Sequence, residues 1–123
     1  MTPELALAIT ACATECTHLV SKIIKAANEV RHHKRKCLAL GEEATSLRAL
    51  LDTHKSQISS LETVKQFTIL FHDIESFVVL SKTWTIVGAA IDTLFTHYFR
   101  KLMSRSENLK RTLMLEAVVS FEL

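Results

Sequence analysis

Arg31, His32, His33, Lys34, Arg35 and Lys36 stand consecutively, and no other stretch of the chain concentrates so much ionisable chemistry. Cations packed this densely attract polyanions. Against a membrane with anionic headgroups, each Lys or Arg near the surface contributes about 1 kcal/mol. The bland alternative is the solvated face of an amphipathic helix. Cys37, Leu40, Ala44, Leu47, Leu51, His54 and Ile58 follow in alternating steps of three and four, the mark of a helix with one buried stripe. Carried backwards, that register puts Val30 and His33 inside and turns Arg31, His32, Lys34, Arg35 and Lys36 to solvent or to the stripe's edges. Lys22 and Lys25 enlarge the cationic surface from the preceding helix, and Arg100, Lys101, Arg105, Lys110 and Arg111 form a second patch on the last one. Nucleic acid is the poorer polyanion here, because no aromatics interleave with the cations and the net charge is only +2.

Other chemistries find less support. Glu15-x-x-His18 and Glu29-x-x-His32 match the spacing of di-iron bundles, but the first-helix register leaves Glu15 at the flank and His18 outside, with no further inward Glu. Cys12, Cys16 and Cys37 fall on inner stripes and read as small core residues, since no second ligand pair follows at zinc-finger spacing. His72-Asp73 has no partners for metal chemistry. The expectation is a protein without metal, cofactor or enzymatic activity.

The elements that position these residues are helices. With 123 residues, two Gly and one Pro, the chain is expected to be one all-α domain, residues 1–123: an antiparallel four-helix bundle with helices at about 3–28, 31–54, 60–80 and 89–118. Thr2-Pro3-Glu4 supplies a cap, a first-turn Pro and an acid against the helix dipole. The first helix carries Leu5, Ile9, Cys12, Cys16, Leu19 and Ile23 on its stripe, and Glu15 is the only formal charge from Leu5 to Val20. Slightly short of the roughly 20 apolar residues of a membrane span, it could insert conditionally, with Leu5, Ile9 and Leu19 meeting lipid. A turn is required between Ala27 and His33. Ser59 is read as the cap of a capping box with Glu62, opening a third helix with Leu61, Val64, Phe67, Leu70, Phe71, Ile74, Phe77 and Val78 inside. Residues 81–88 read as a non-helical connection, with Trp84 as a lid on the core or an interfacial anchor. The fourth helix has Ile91, Phe95, Tyr98, Leu102, Leu109, Leu113 and Ala117 inside, and is expected to run through Ser104-x-x-Glu107 unbroken. Three cysteines without a secretory signal indicate reduced thiols in the cytoplasm. The apolar end, Val118 to Leu123, points to the N-terminal part of a longer protein.

Lys34-Arg35-Lys36-Cys37-Leu38-Ala39-Leu40-Gly41, followed by a Leu-rich helix, together with Arg100-Lys101-Leu102, resembles the executioner four-helix bundles of the mixed-lineage kinase domain-like, fungal HeLo-like and plant powdery-mildew-resistance-type cell-death family. The resemblance implies a bundle held inactive until a regulatory C-terminal module or upstream receptor triggers homo-oligomerisation. It then implies binding of anionic phospholipid at the plasma membrane and permeabilisation. Carried over residue by residue, the lipid-binding candidates are Arg31, Lys34, Arg35 and Lys36, with Arg100 and Lys101. In plant and fungal relatives the first helix inserts, which here would bring Glu15 into a pore. Glu42-Glu43 departs from the continuous basic face of the vertebrate pattern. The rival expectation is an adaptor bundle that binds protein and has no membrane activity.

Overall fold

The computed structural model describes residues 2–83 and 89–122, and these form an all-α four-helix bundle. Helix α1 spans Pro3–Glu29. Its start follows from the sequence: Thr2 Oγ1 accepts the Leu5 N–H at 3.1 Å, and Pro3 occupies a position where a missing N–H costs nothing. Ile9, Cys12, Cys16, Leu19 and Ile23 are buried as the stripe requires, while Leu5 is half-buried.

Helix α2 spans Lys34–His54, so residues 31–33 are not its first turn as expected. The reason is His33, whose φ of 63° places it in the left-handed region that a continuing helix excludes. Its carbonyl accepts the Cys37 N–H at 3.1 Å and opens the helix. Val30 and His33 still turn inward, but from a turn and not from a helical face. Cys37, Leu40, Ala44, Leu47, Leu51 and Ile58 are buried, with His54 half-buried.

A 3₁₀ turn at Lys55–Gln57 leads to α3, Leu61–Lys82. The expected capping box does not form: Ser60 occupies the cap position without a side-chain bond, and Glu62 accepts from Gln66 instead, at 2.8 Å. Leu61, expected inside, is 48% exposed. Ser81 and Lys82 belong to the helix and not to the connection; Ser81 is buried, its hydroxyl donating to the Phe77 carbonyl at 2.8 Å. Trp84 and the rest of the connection, through Gly88, lie outside the described residues.

Helix α4, Ala89–Glu122, runs straight through Ser104. Its seam consists of Phe95, Leu102, Ser106, Leu109, Leu113 and Ala117, all buried, with Phe99 packed against it. Tyr98, expected inside, is 47% exposed. Phe99 takes that place, one position on, because the seam must also carry Ser106, which hydropathy alone hides.

Contacts define how the helices pack. Thr17 meets Arg48 and Ile24 meets Gly41, so α1 and α2 run in opposite directions. Cys12 meets Thr68 and Glu29 meets Lys82, so α1 and α3 run side by side in the same direction, and this is the most extensive helix contact. His33 meets Asp92 and Glu43 meets Ser106 along parallel α2 and α4, while Asp73 meets Arg105 and Thr63 meets Glu116 along antiparallel α3 and α4. Successive helices alternate in direction, but the α2-to-α3 connection crosses diagonally, leaving α1 and α4 at opposite corners. Phe67, Phe71, Phe95, Ile23, Leu40 and Leu47 fill the centre.

Gly41 lies inside α2, where a Cβ would meet Ile24 Cγ1 at 3.5 Å, an ordinary contact. Gly41→Ala is therefore expected to raise stability by about 0.5–1 kcal/mol through helix propensity. A urea titration checks this, and a loss of stability would show that the helix contact is closed to a methyl.

Candidate anion-binding surface

Arg31, Lys34 and Arg35 stand at one end of the bundle. The last turns of α1, the 30–33 turn, the first turns of α2 and the N-terminal part of α4 all lie there, because α2 and α4 run parallel and α1 returns against α2. Arg31, Lys34 and Arg35 are exposed, and among the described residues none of them has an ion-pair partner. The N-terminus of α2 adds to their field: it has no side-chain cap and no acid in its first turn, so its free N–H groups contribute roughly half a positive charge.

Lys36 is not presented in the same way. Its Nζ donates to Thr96 Oγ1 at 2.9 Å and lies 5.9 Å from the centre of the Phe95 ring and 5.8 Å from that of Phe99. The side chain is half-buried against α4, and its charge is held by two aromatic faces. His33 is anchored beside it. Its Nε2 lies 2.8 Å from Asp92 Oδ1, and its ring stacks on Phe95 at 4.1 Å with 13° between planes. These contacts hold a non-glycine residue at positive φ, a conformation costing about 1–3 kcal/mol. Sequence reasoning missed the arrangement, although His is among the residues enriched in left-handed geometry.

Lys25 is exposed on α1, one turn before Glu29, whose carboxyl its charge helps to hold low. Lys22 is also exposed, one turn earlier on the same helix. Arg100 and Lys101 are exposed on α4, at the corner diagonal to α1 and so apart from Lys22 and Lys25. Neighbouring cations are already engaged: Lys82 with Glu29 at 2.7 Å, and Arg105 with Asp73 at 2.7 Å. The hydrogen bond and charge of Lys82 hold the Glu29 carboxyl below its usual range.

The residues assigned to membrane insertion are placed differently. Ile9 and Leu19 face the core, Leu5 packs against its edge, and Glu15 is hydrogen-bonded to His72 on α3. His18 is exposed. Among the described residues, no group of three His, Cys, Asp or Glu gathers where it could hold a metal. All three cysteines are free and buried; Cys12 Sγ and Cys16 Sγ lie 3.8 Å apart. The hydrogen bond to Cys12, and then burial, push the Cys16 thiol up, and burial does the same to Cys37.

No protein-family model, curated protein or solved structure matches the chain.

On the far side of α2, Glu43 is a further partner that sequence could not locate. Burial would raise its carboxyl, but Lys110 Nζ at 2.5 Å and Ser106 Oγ at 2.6 Å outweigh it and hold the pKa below the ordinary value. A carboxyl depressed on folding contributes stability above its unfolded pKa of about 4.3, and that contribution is lost as pH falls through the folded value. Glu43→Gln is expected to cost about 1–3 kcal/mol at neutral pH and to flatten the loss of stability on acidification below about pH 5. Urea unfolding at stepped pH measures both. An unchanged acid limb would remove Glu43 from this role.

Proposed function

We propose that the chain is a membrane-targeting effector bundle of the executioner type, which docks on anionic phospholipid through Arg31, Lys34 and Arg35, oligomerises and disrupts the bilayer. The observation that carries this reading is the gathering of those cations, without an ion-pair partner among the described residues, around the uncapped N-terminus of α2. In the same reading the bundle rests in the cytoplasm and moves to the plasma membrane when a regulatory module or upstream receptor releases it. Lys22 and Lys25 add cations from α1, and Arg100 and Lys101 supply a second contact from α4. Lys36 acts from beneath by fixing α2 against α4.

Helix α1 is the inserting element in this reading. Among the described residues it is the one helix long and apolar enough to cross a membrane, a test that core helices of soluble proteins also pass. Its exposed threonines have little unmet hydrogen-bonding demand: Thr10, Thr14 and Thr17 donate to the carbonyls of Ala6, Thr10 and Ala13 at 2.8–3.0 Å. Leaving the bundle is costly. Ile9, Leu19, Val20 and Ile23 would each lose about 1.5–3 kcal/mol of burial, about 6–12 kcal/mol in all, which is the scale of a whole domain's stability. Insertion therefore needs docking first and a bilayer or oligomer to cover the apolar stripe again.

The rival reading, an adaptor module, rests on one observation. The outer face of α4 turns apolar near its end, where Leu115, Val118 and Val119 are each more than half exposed.

The deciding experiment is dye release from liposomes of anionic or neutral lipid at low and high salt. Leakage is expected from anionic vesicles only, suppressed as salt shortens the screening length from about 10 Å at 0.1 M to about 3 Å at 1 M. Neither binding nor leakage at low salt would move the assignment to the adaptor.

A further inference from the structure

Cys12 and Cys16 lie one turn apart on the inner stripe of α1, where it meets α3, with their sulfurs 3.8 Å apart. Their surroundings are not purely apolar. The Thr68 hydroxyl of α3, which also bonds the Val64 carbonyl at 3.4 Å, donates to Cys12 Sγ at 3.3 Å, and the Cys16 S–H can donate to the same sulfur. While protonated, Cys12 itself donates to the Val64 carbonyl at 3.6 Å. The Cys16 hydrogen bond, against burial and with help from Thr68, holds the Cys12 thiol below its usual range, whereas Cys16 is pushed up. The pair is therefore asymmetric: one sulfur gathers donors that favour its anion, and its neighbour keeps a proton. Cys37, equally buried, has no such thiol partner among the described residues, and burial pushes it up.

We propose that Cys12 and Cys16 form a peroxide-reactive dithiol site, with Cys12 as the attacking sulfur and Cys16 as the resolving one. The Cys12 thiolate attacks a peroxide oxygen, the O–O bond breaks, and hydroxide leaves with the bonding pair and takes up the proton Cys12 had lost, so that a sulfenic acid remains. Cys16 then attacks the Cys12 sulfur. Its proton joins the departing hydroxyl as water and a disulfide forms, two thiols having given two electrons to one peroxide. The oxidant enters by opening of the first turns of α1, where Ile9 is the one buried residue before Cys12, with Leu5 and Ala8 at the core's edge. The bond also reshapes the helix. Cβ atoms four residues apart on a helix are separated by about 5–6 Å, but a disulfide needs about 3.5–4.5 Å. The turn from Cys12 to Cys16 has to close up, against the Thr68 contact and along the most extensive helix contact of the bundle, so oxidation loosens α1 from α3. The site does not depend on lipid docking.

The test treats the reduced full chain with hydrogen peroxide and follows the tryptic peptide that ends at Lys22, which holds both cysteines, by mass spectrometry. That peptide is expected to lose two hydrogens, at least tenfold faster than Cys37 loses its reactivity toward an alkylating agent after unfolding. Dithiothreitol should reverse the loss. Amide exchange over residues 10–20 should accelerate in the oxidised chain and recover on reduction. Cys16→Ser should leave Cys12 as a sulfenic acid that dimedone captures, with no internal disulfide, and Cys12→Ser should slow thiol loss at Cys16 at least tenfold. The comparison of Cys12 with Cys37 in the unmodified chain needs no variant, so it stands however well the variants fold. Equal rates at Cys12 and Cys37 would mean that global unfolding alone exposes the thiols and would overturn the site. A disulfide joining two copies of the chain, or no loss of hydrogens from the peptide, would overturn it too.

Discussion

Replacing Arg31, Lys34 and Arg35 together by Glu is expected to lower association with anionic vesicles by more than about 100-fold. Each cation near such a surface contributes about 1 kcal/mol, so removing three costs about 3 kcal/mol, and each 1.4 kcal/mol is a factor of ten. Reversing the sign adds repulsion to that loss. Stability should change little, within about 0.5 kcal/mol per substitution, because none of the three has an ion-pair partner among the described residues. Lys36 does not belong to that set. Its bond to Thr96 and its position over Phe95 and Phe99 make Lys36→Glu a fold-perturbing change as well as a charge reversal. Vesicle co-sedimentation at low salt, paired with thermal melts, reads both quantities. Association that survives the triple reversal would transfer the docking role to Lys22, Lys25, Arg100 and Lys101 or refute it.

The largest effect on stability is expected from Phe95→Ala. Phe95 is fully buried, stacks on His33, meets Phe77 with ring centres 4.8 Å apart and lies beneath the Lys36 ammonium. Truncating a core Phe costs about 3–5 kcal/mol. For a domain of this size that is a fall in Tm of more than about 10 °C. The substitution also removes the ring that holds His33 in its left-handed conformation, so amide exchange at residues 34–37 should accelerate beyond the global loss. Tyr98→Ala, at an exposed ring three residues further on, should cost far less. Similar costs for the two substitutions would mean that α4 packs in the register hydropathy alone suggested.

The contrast between Phe95 and Tyr98 marks where sequence reasoning stops. A helical stripe is local information, because residues three and four apart share a face whatever lies across from them. The inward faces of Ile9, Cys12, Cys16, Leu19 and Ile23 on α1, and of Cys37, Leu40, Ala44, Leu47 and Leu51 on α2, therefore follow from their spacing. Four helices, the Thr2 cap and the exposure of Arg31, Lys34 and Arg35 were legible for the same reason. The candidate site was legible as charge in sequence but not as a surface.

Tertiary structure decided the rest through partners that periodicity cannot see. Asp92 and Phe95 hold His33 across about 60 residues of chain, and that grip ends the turn and sets the start of α2. Thr96 and two rings draw Lys36 away from the exposed cations. Glu43 makes Ser106 a seam residue. The diagonal crossing from α2 to α3 places α1 opposite α4, which separates Lys22 and Lys25 from Arg100 and Lys101. Sequence by itself determined which faces are apolar, since that follows from side-chain chemistry and helix pitch. Which face meets which, and so which cations have no ion-pair partner among the described residues, was decided by packing the four helices together.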